Sequence, residues 1–176
     1  MIDLPPNLPE PVVCCITAAQ QYDLAPEIVL AVAQAEGGRP GQWVKNTNGT
    51  YDVGPMQFNT SYLKTLEKYG ITPEHAASSG CFPYRLAAWR IKKHITEDQG
   101  DLWTKVANYH SKTPRFNTIY REKLISFAEP WRSWLQSPTK ESLPTNVKIK
   151  TKTDERPQTL RERYPSFEDY LKAHGF

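Results

Sequence analysis

Between Pro26 and Glu36 the chain reads PEIVLAVAQAE, and apolar side chains occupy nearly every position around a helical wheel. A helix that is apolar all round is a buried one. Pro26 fits its first turn, where no amide donor is required. Gly37-Gly38 ends it and Pro40 blocks any continuation. The pattern therefore predicts a central helix whose final residue is the only carboxylate in its second half, Glu36. Helical spacing recurs on both sides. Residues 11–22 place Val12, Val13, Ile16, Ala19 and Tyr22 on one face, and 60–69 place Tyr62, Leu63 and Leu66 inward before Gly70. Further helices are predicted over 82–95 (Leu86, Ala87, Trp89, Ile91, Ile95), 101–110 and 118–135.

Between the second and third helices the pattern changes. Asn46, Asn48, Gly49 and Gly54 are turn formers, and Thr50 to Val53 reads as a short strand. Met56-Gln57-Phe58 returns to apolar sequence before Thr60 caps the next helix. After residue 135 the apolar period stops. Residues 136–158 are rich in Pro, Thr and Lys and read as a flexible linker. Residues 159–174 offer Leu160, Tyr164, Phe167, Tyr170 and Leu171 around Pro165, a short amphipathic segment that either packs on the domain or docks a partner. The predicted organisation is an extension over 1–10, one domain over 11–136, and a tail over 137–176.

The 176 residues suit one domain of roughly 125 to 135 residues plus a tail. A net charge of +3 is too mild for a nucleic-acid footprint, yet it is compatible with a polyanionic polymer. No stretch approaches the length of a membrane span. The first residues lack both the basic and the apolar region of a signal peptide, so an exported form implies either a removed leader or another route. The cysteines are Cys14, Cys15 and Cys81. No Cys-x-x-Cys pair or histidine stands at ligand spacing, so neither a metal nor another cofactor is expected.

Glu36 is the candidate for chemistry. It sits at the negative end of a helix dipole on a buried element, and both conditions favour the protonated carboxyl that a proton donor near neutral pH requires. The competing expectation is a helix-terminal glutamate directed into water.

Glu36-Gly-Gly, then NTNGTYDVGPMQFN, then Val106-Ala-Asn-Tyr-His-Ser-Lys-Thr-Pro114 resembles the lysozyme-like lytic transglycosylases of the SLT type. The likeness is greatest to the small specialised ones attached to conjugation, type III and type IV secretion, and type IV pilus machines. That family carries Glu-Ser, Gly-Leu-Met-Gln-Ile-Asn, and a tyrosine block. Here Gly37 stands in place of the Ser and Pro55 in place of the Leu. The resemblance covers roughly residues 12 to 130 and implies an all-α lysozyme-like fold with at most a minimal β region.

The resemblance also implies a function. The substrate would be the glycan strand of peptidoglycan, cut by a periplasmic enzyme that acts as a monomer. Glu36 would protonate the leaving oxygen and then take a proton from the muramic acid 6-hydroxyl, closing a 1,6-anhydro ring. The substrate's N-acetyl group would stabilise the intermediate. Asp52 lies in a turn that also resembles that of c-type lysozymes, where the matching Asp is the nucleophile. Retaining hydrolysis needs two carboxylates about 5 Å apart. Asp52 as a turn-forming residue is the alternative.

Tyr109 either hydrogen-bonds Glu36 or is an ordinary half-buried tyrosine. Gln57 and Asn59 either hold substrate or hold the turn, while Met56, Gly54 and Phe58 line the cleft or the core. Tyr120 and His110 are further candidates. The resemblance pairs Cys14 with Cys81, a bridge closing about 66 residues that would add roughly 4 kcal/mol and imply an oxidising compartment. Three reduced buried thiols are the alternative.

Overall fold

The computed structural model describes residues 5, 7–137 and 142–144. The linker and aromatic tail expected beyond residue 144 lie outside the described residues, as does half of the N-terminal extension. Among the described residues, seven α-helices and one small sheet follow in order: α1 (Glu10–Gln21), α2 (Pro26–Glu36), β1 (Trp43–Lys45), β2 (Tyr51–Val53), β3 (Phe58–Asn59), α3 (Thr60–Lys64), α4 (Pro73–Ala77), α5 (Phe82–Glu97), α6 (Leu102–Ala107) and α7 (Pro114–Gln136). The fold is the mostly helical, lysozyme-like one expected.

Helix α2 has the predicted bounds, because Pro26 opens it and Gly37, at φ 57°, closes it. Its residues Ile28 to Ala33 are buried, and α1, α5 and α7 pack around it. The antiparallel sheet has the order β1-β2-β3, with Val44 opposite Asp52 and Asp52 opposite Asn59. Cys14 on α1 and Cys81 at the start of α5 form a disulfide, and Cys15 is a buried free thiol.

Several elements differ from the sequence pattern for local reasons. The expected helix over 60–69 breaks after Lys64, where the Thr65 hydroxyl donates to the Tyr62 carbonyl at 2.7 Å, and resumes as a 3-10 turn (Glu67–Tyr69). Helix α4 was hidden in a polar stretch. Thr72 caps it, its side chain accepting from the His75 backbone while His75 Nδ1 accepts from the Thr72 N–H. Helix α6 is shorter than 101–110, with Asp101 as its cap. Helix α7 begins at Pro114 rather than 118, and it tolerates Pro130 inside its span. Val13, expected inward, is exposed. Leu143 packs back against the core.

Candidate active site

Two glycines place Glu36. Gly37 supplies the left-handed turn that ends α2, its N–H donating to the Ala33 carbonyl at 3.0 Å. Gly38 then passes so close to the turn after β2 that a Cβ there would stand 2.2 Å from the Gly54 carbonyl oxygen and 2.7 Å from Gln57 Nε2. Gly54 is equally confined, since a Cβ on it would meet the Ala76 carbonyl oxygen at 2.0 Å. The end of α2 is thereby pressed against the sheet, and α4 backs the turn.

Helix α7 grips α2 along its length. The Tyr120 hydroxyl donates to Glu36 Oε1, Lys123 Nζ donates to the Ala35 carbonyl at 2.7 Å, and Trp131 Nε1 donates to Gln34 Oε1 at 2.9 Å. Arg132 pairs with Glu27 at 3.1 Å. The hydrogen bond to Glu36 is therefore made by Tyr120 and not by Tyr109. Tyr109 is buried and its hydroxyl donates to the Met56 carbonyl at 2.8 Å. The two tyrosines divide their work: Tyr120 touches the carboxyl, and Tyr109 anchors the turn beneath it.

The other site candidates fall into place around this pair. Asn59 Nδ2 donates to Asp52 Oδ1 at 2.9 Å and to Thr50 Oγ1 at 3.0 Å, while its Oδ1 caps α3 by accepting from the Ser61 N–H. Gln57, at the unusual φ of 46°, donates its side-chain amide to the Gly54 carbonyl at 2.8 Å. Gln57 and Asn59 thus hold the turn, and Asn59 also orients Asp52. Met56 and Phe58 are core residues, fully buried. His110 lies exposed and stacked on Tyr120, ring centres 4.7 Å apart.

Burial raises the Glu36 carboxyl to about 7, against the opposing pull of the Tyr120 hydroxyl, Lys123 and Arg90, and the negative charge of Asp52 adds to the rise. The residue itself is only half-buried, so the group is desolvated without being sealed from solvent. Burial also pushes the Tyr120 hydroxyl well above its ordinary range, with the neighbouring Glu36 contributing. Tyr120 is therefore a permanent donor at working pH.

The sequence pattern did not single out three residues. Lys123 lies one turn beyond Tyr120. Arg90 on α5 stands over Tyr62 and Tyr109, 4.0 and 4.5 Å from the ring centres. Asp98 accepts from His94 Nδ1 at 2.7 Å, Asn108 Nδ2 at 2.8 Å and Lys112 Nζ at 2.6 Å, and so braces the turn that carries Tyr109 and His110. Burial pushes the Asp98 carboxyl up, but those three hydrogen bonds outweigh it and hold it well below its ordinary range. Among the described residues no three His, Cys, Asp or Glu side chains cluster as a metal ion would require. None of their helices is long and apolar enough to cross a membrane.

Known proteins share this arrangement of sequence. "Invasion protein IagB" of Salmonella typhimurium (strain SL1344) is 29% identical over 121 residues, 68% of this chain and 75% of that protein. "Protein IpgF" of Shigella flexneri is 29% identical over 101 residues, 57% of this chain and 66% of that protein. "X polypeptide" of Escherichia coli is 26% identical over 141 residues, covering 77% and 81%. Residues 13–122, from α1 into α7 and including Glu36, Asp52, Tyr109 and Tyr120, match the transglycosylase SLT domain, and the chain belongs to that family.

Proposed function

We propose that the protein is a peptidoglycan lytic transglycosylase with Glu36 as its single acid and base. The carrying observation is a carboxyl raised to about 7 that accepts one hydrogen bond, from Tyr120 to Oε1. Oε2 is left to deliver the proton to the oxygen of the MurNAc-GlcNAc β-1,4 bond. As that bond breaks, the departing sugar keeps the proton and positive charge develops at the muramic anomeric carbon. Asp52, oriented by Asn59, stabilises that charge. The ionised Glu36 then removes the proton of the muramic 6-hydroxyl, whose oxygen bonds to the anomeric carbon. The product carries a 1,6-anhydro end, and Glu36 is protonated again.

The disulfide supports a periplasmic location. The likeness to a protein named for invasion supports a local role in opening the wall for a secretion, conjugation or pilus machine. The second reading is a retaining muramidase with Asp52 as nucleophile. Its specific support is Asp52 held in a fixed orientation and acting electrostatically on Glu36. A third reading, glycan-binding scaffold without turnover, draws on Gly37 and Pro55.

Mass spectrometry of purified wall digested by the protein separates these readings. Anhydro-muramic ends, lost with Glu36→Gln and reduced at least about tenfold with Asp52→Asn, are the expected result. Reducing ends would identify a muramidase, and intact wall beside a folded protein would leave only the binding scaffold.

A further inference from the structure

Among the described residues, Arg90 is held by ring faces alone. Its guanidinium carbon lies 4.0 Å from the ring centre of Tyr62, 4.5 Å from that of Tyr109 and 5.9 Å from that of Phe58. Nε is buried and has no hydrogen-bond partner among the described residues. Ion pairs among the described residues join other cations to Asp23, Glu27, Glu97, Asp98, Asp101 and Glu129. Arg90 nevertheless adjoins the site, because it stands over Tyr109, whose hydroxyl donates to the Met56 carbonyl of the turn beside Glu36, and its charge acts on Glu36 itself.

A cation over aromatic faces satisfies the charge but not the N–H groups, which project in the guanidinium plane. A leucine or methionine would fill the same space among Phe58, Tyr62 and Tyr109 without the cost of desolvating a charge. The stacked rings also fix the side chain beforehand, so little rotamer freedom is lost when an anion arrives. A rigid planar fork matches a carboxylate or a phosphate, and on the wall-glycan reading the anion that the substrate carries is a carboxylate.

We propose that Arg90 is a specificity residue that binds a carboxylate of the glycan substrate. Two sources share that chemistry: the free lactyl carboxylate of a muramic residue, and a carboxylate of the peptide stem attached to it. The inference rests on the wall-glycan reading above, but equilibrium binding tests it independently of turnover.

The experiment uses the full chain carrying Glu36→Gln, so that strands are bound and not cut, alone or combined with Arg90→Met or Arg90→Lys. Three strand preparations serve as probes: peptide-free strands with free lactyl carboxylates, the same strands with those carboxylates converted to neutral methylamides, and strands bearing peptide stems. The Glu36→Gln protein should bind at least one carboxylate-bearing preparation about tenfold more tightly than the neutral one. Arg90→Met should erase that preference and leave neutral-strand affinity in place. Arg90→Lys, which keeps the charge and loses the fork, should fall between.

A preference for the first preparation assigns the lactyl group, and a preference for the third assigns the stem. Equal affinity of the Glu36→Gln protein for neutral and carboxylate-bearing strands would overturn the inference without touching the cleavage reading, even if Arg90→Met fails to fold. Equal weakening of all three by a folded Arg90→Met protein would overturn it too, by making Arg90 a packing residue. Failure to bind any strand would remove both readings together.

Discussion

Glu36 carries a cost that the proposed chemistry requires. Its ordinary value of 4.5 is raised to about 7 in the fold, chiefly by burial. Below about 4.5 the folded and unfolded chains are both protonated. As pH rises from there to about 7 the unfolded chain ionises first, so stability falls across that window and the loss is complete above it. Glu36→Gln removes the titrating group. Chemical denaturation should therefore find the variant gaining on the parent protein by about 3 kcal/mol between pH 4 and pH 8; parallel stability profiles would contradict the raised carboxyl. Tyr120→Phe tests the same group from the other side. The lost hydroxyl favoured the carboxylate, so the Glu36 proton should be held more tightly and the alkaline limb of wall cleavage should move to higher pH. Tyr109→Phe should leave that limb in place and cost about 1 kcal/mol of stability, because its hydroxyl serves the Met56 carbonyl. An unmoved limb in Tyr120→Phe would mean that the contact does not set the acid.

At the scale of elements, the site is the meeting of the end of α2 with a turn. Gly38 makes that meeting possible, since the Cβ of an alanine would stand 2.2 Å from the Gly54 carbonyl oxygen, a backbone atom. Gly38→Ala should lower stability by more than about 2 kcal/mol and cut activity beyond what the folded fraction explains, both read from melting curves and turnover on one preparation. Gly37→Ala has room and meets only the left-handed backbone, so about 1 kcal/mol is expected. A smaller loss at Gly38 than at Gly37 would show that the turn can retreat. Both ends of α2 were legible because Pro26 and Gly37 are local signals that packing need not amend. Helix α4 was not, being five residues long with no apolar period for a buried face to reveal. Nor could sequence say which of two tyrosines reaches Glu36. Tyr109 and Tyr120 stand on different segments, and only the packing of α7 along α2 decides between them. Arg90 was hidden for a related reason, as an arginine followed one turn later on α5 by Lys93 and His94 reads as a surface position until the rings around it are seen.

For the whole molecule, one covalent link joins the first helix to the middle of the chain. Cys14 and Cys81 are 67 residues apart in sequence, and α1 packs on both α2 and α5. Severing the link releases the unfolded chain from a long closed loop, while the folded protein keeps its burial of Val12, Ile16 and Ala19. The stabilisation is thus mainly a restriction of the unfolded state, on the order of 4 kcal/mol in the chain-entropy view. Reduction, or paired replacement of Cys14 and Cys81 by serine, should lower the melting temperature substantially. Wall cleavage well below that temperature should change little, because neither cysteine touches Glu36, Tyr120 or Asp52. Cys15 provides the control. It is buried and free, and its thiol is pushed far above its ordinary range by burial, so it should resist labelling in the folded protein whether or not the bridge is intact. Peptide mapping without reductant should find the segments containing Cys14 and Cys81 joined. A melting temperature indifferent to reduction would show that packing of α1 alone holds the domain closed, and would withdraw the disulfide as support for an oxidising compartment.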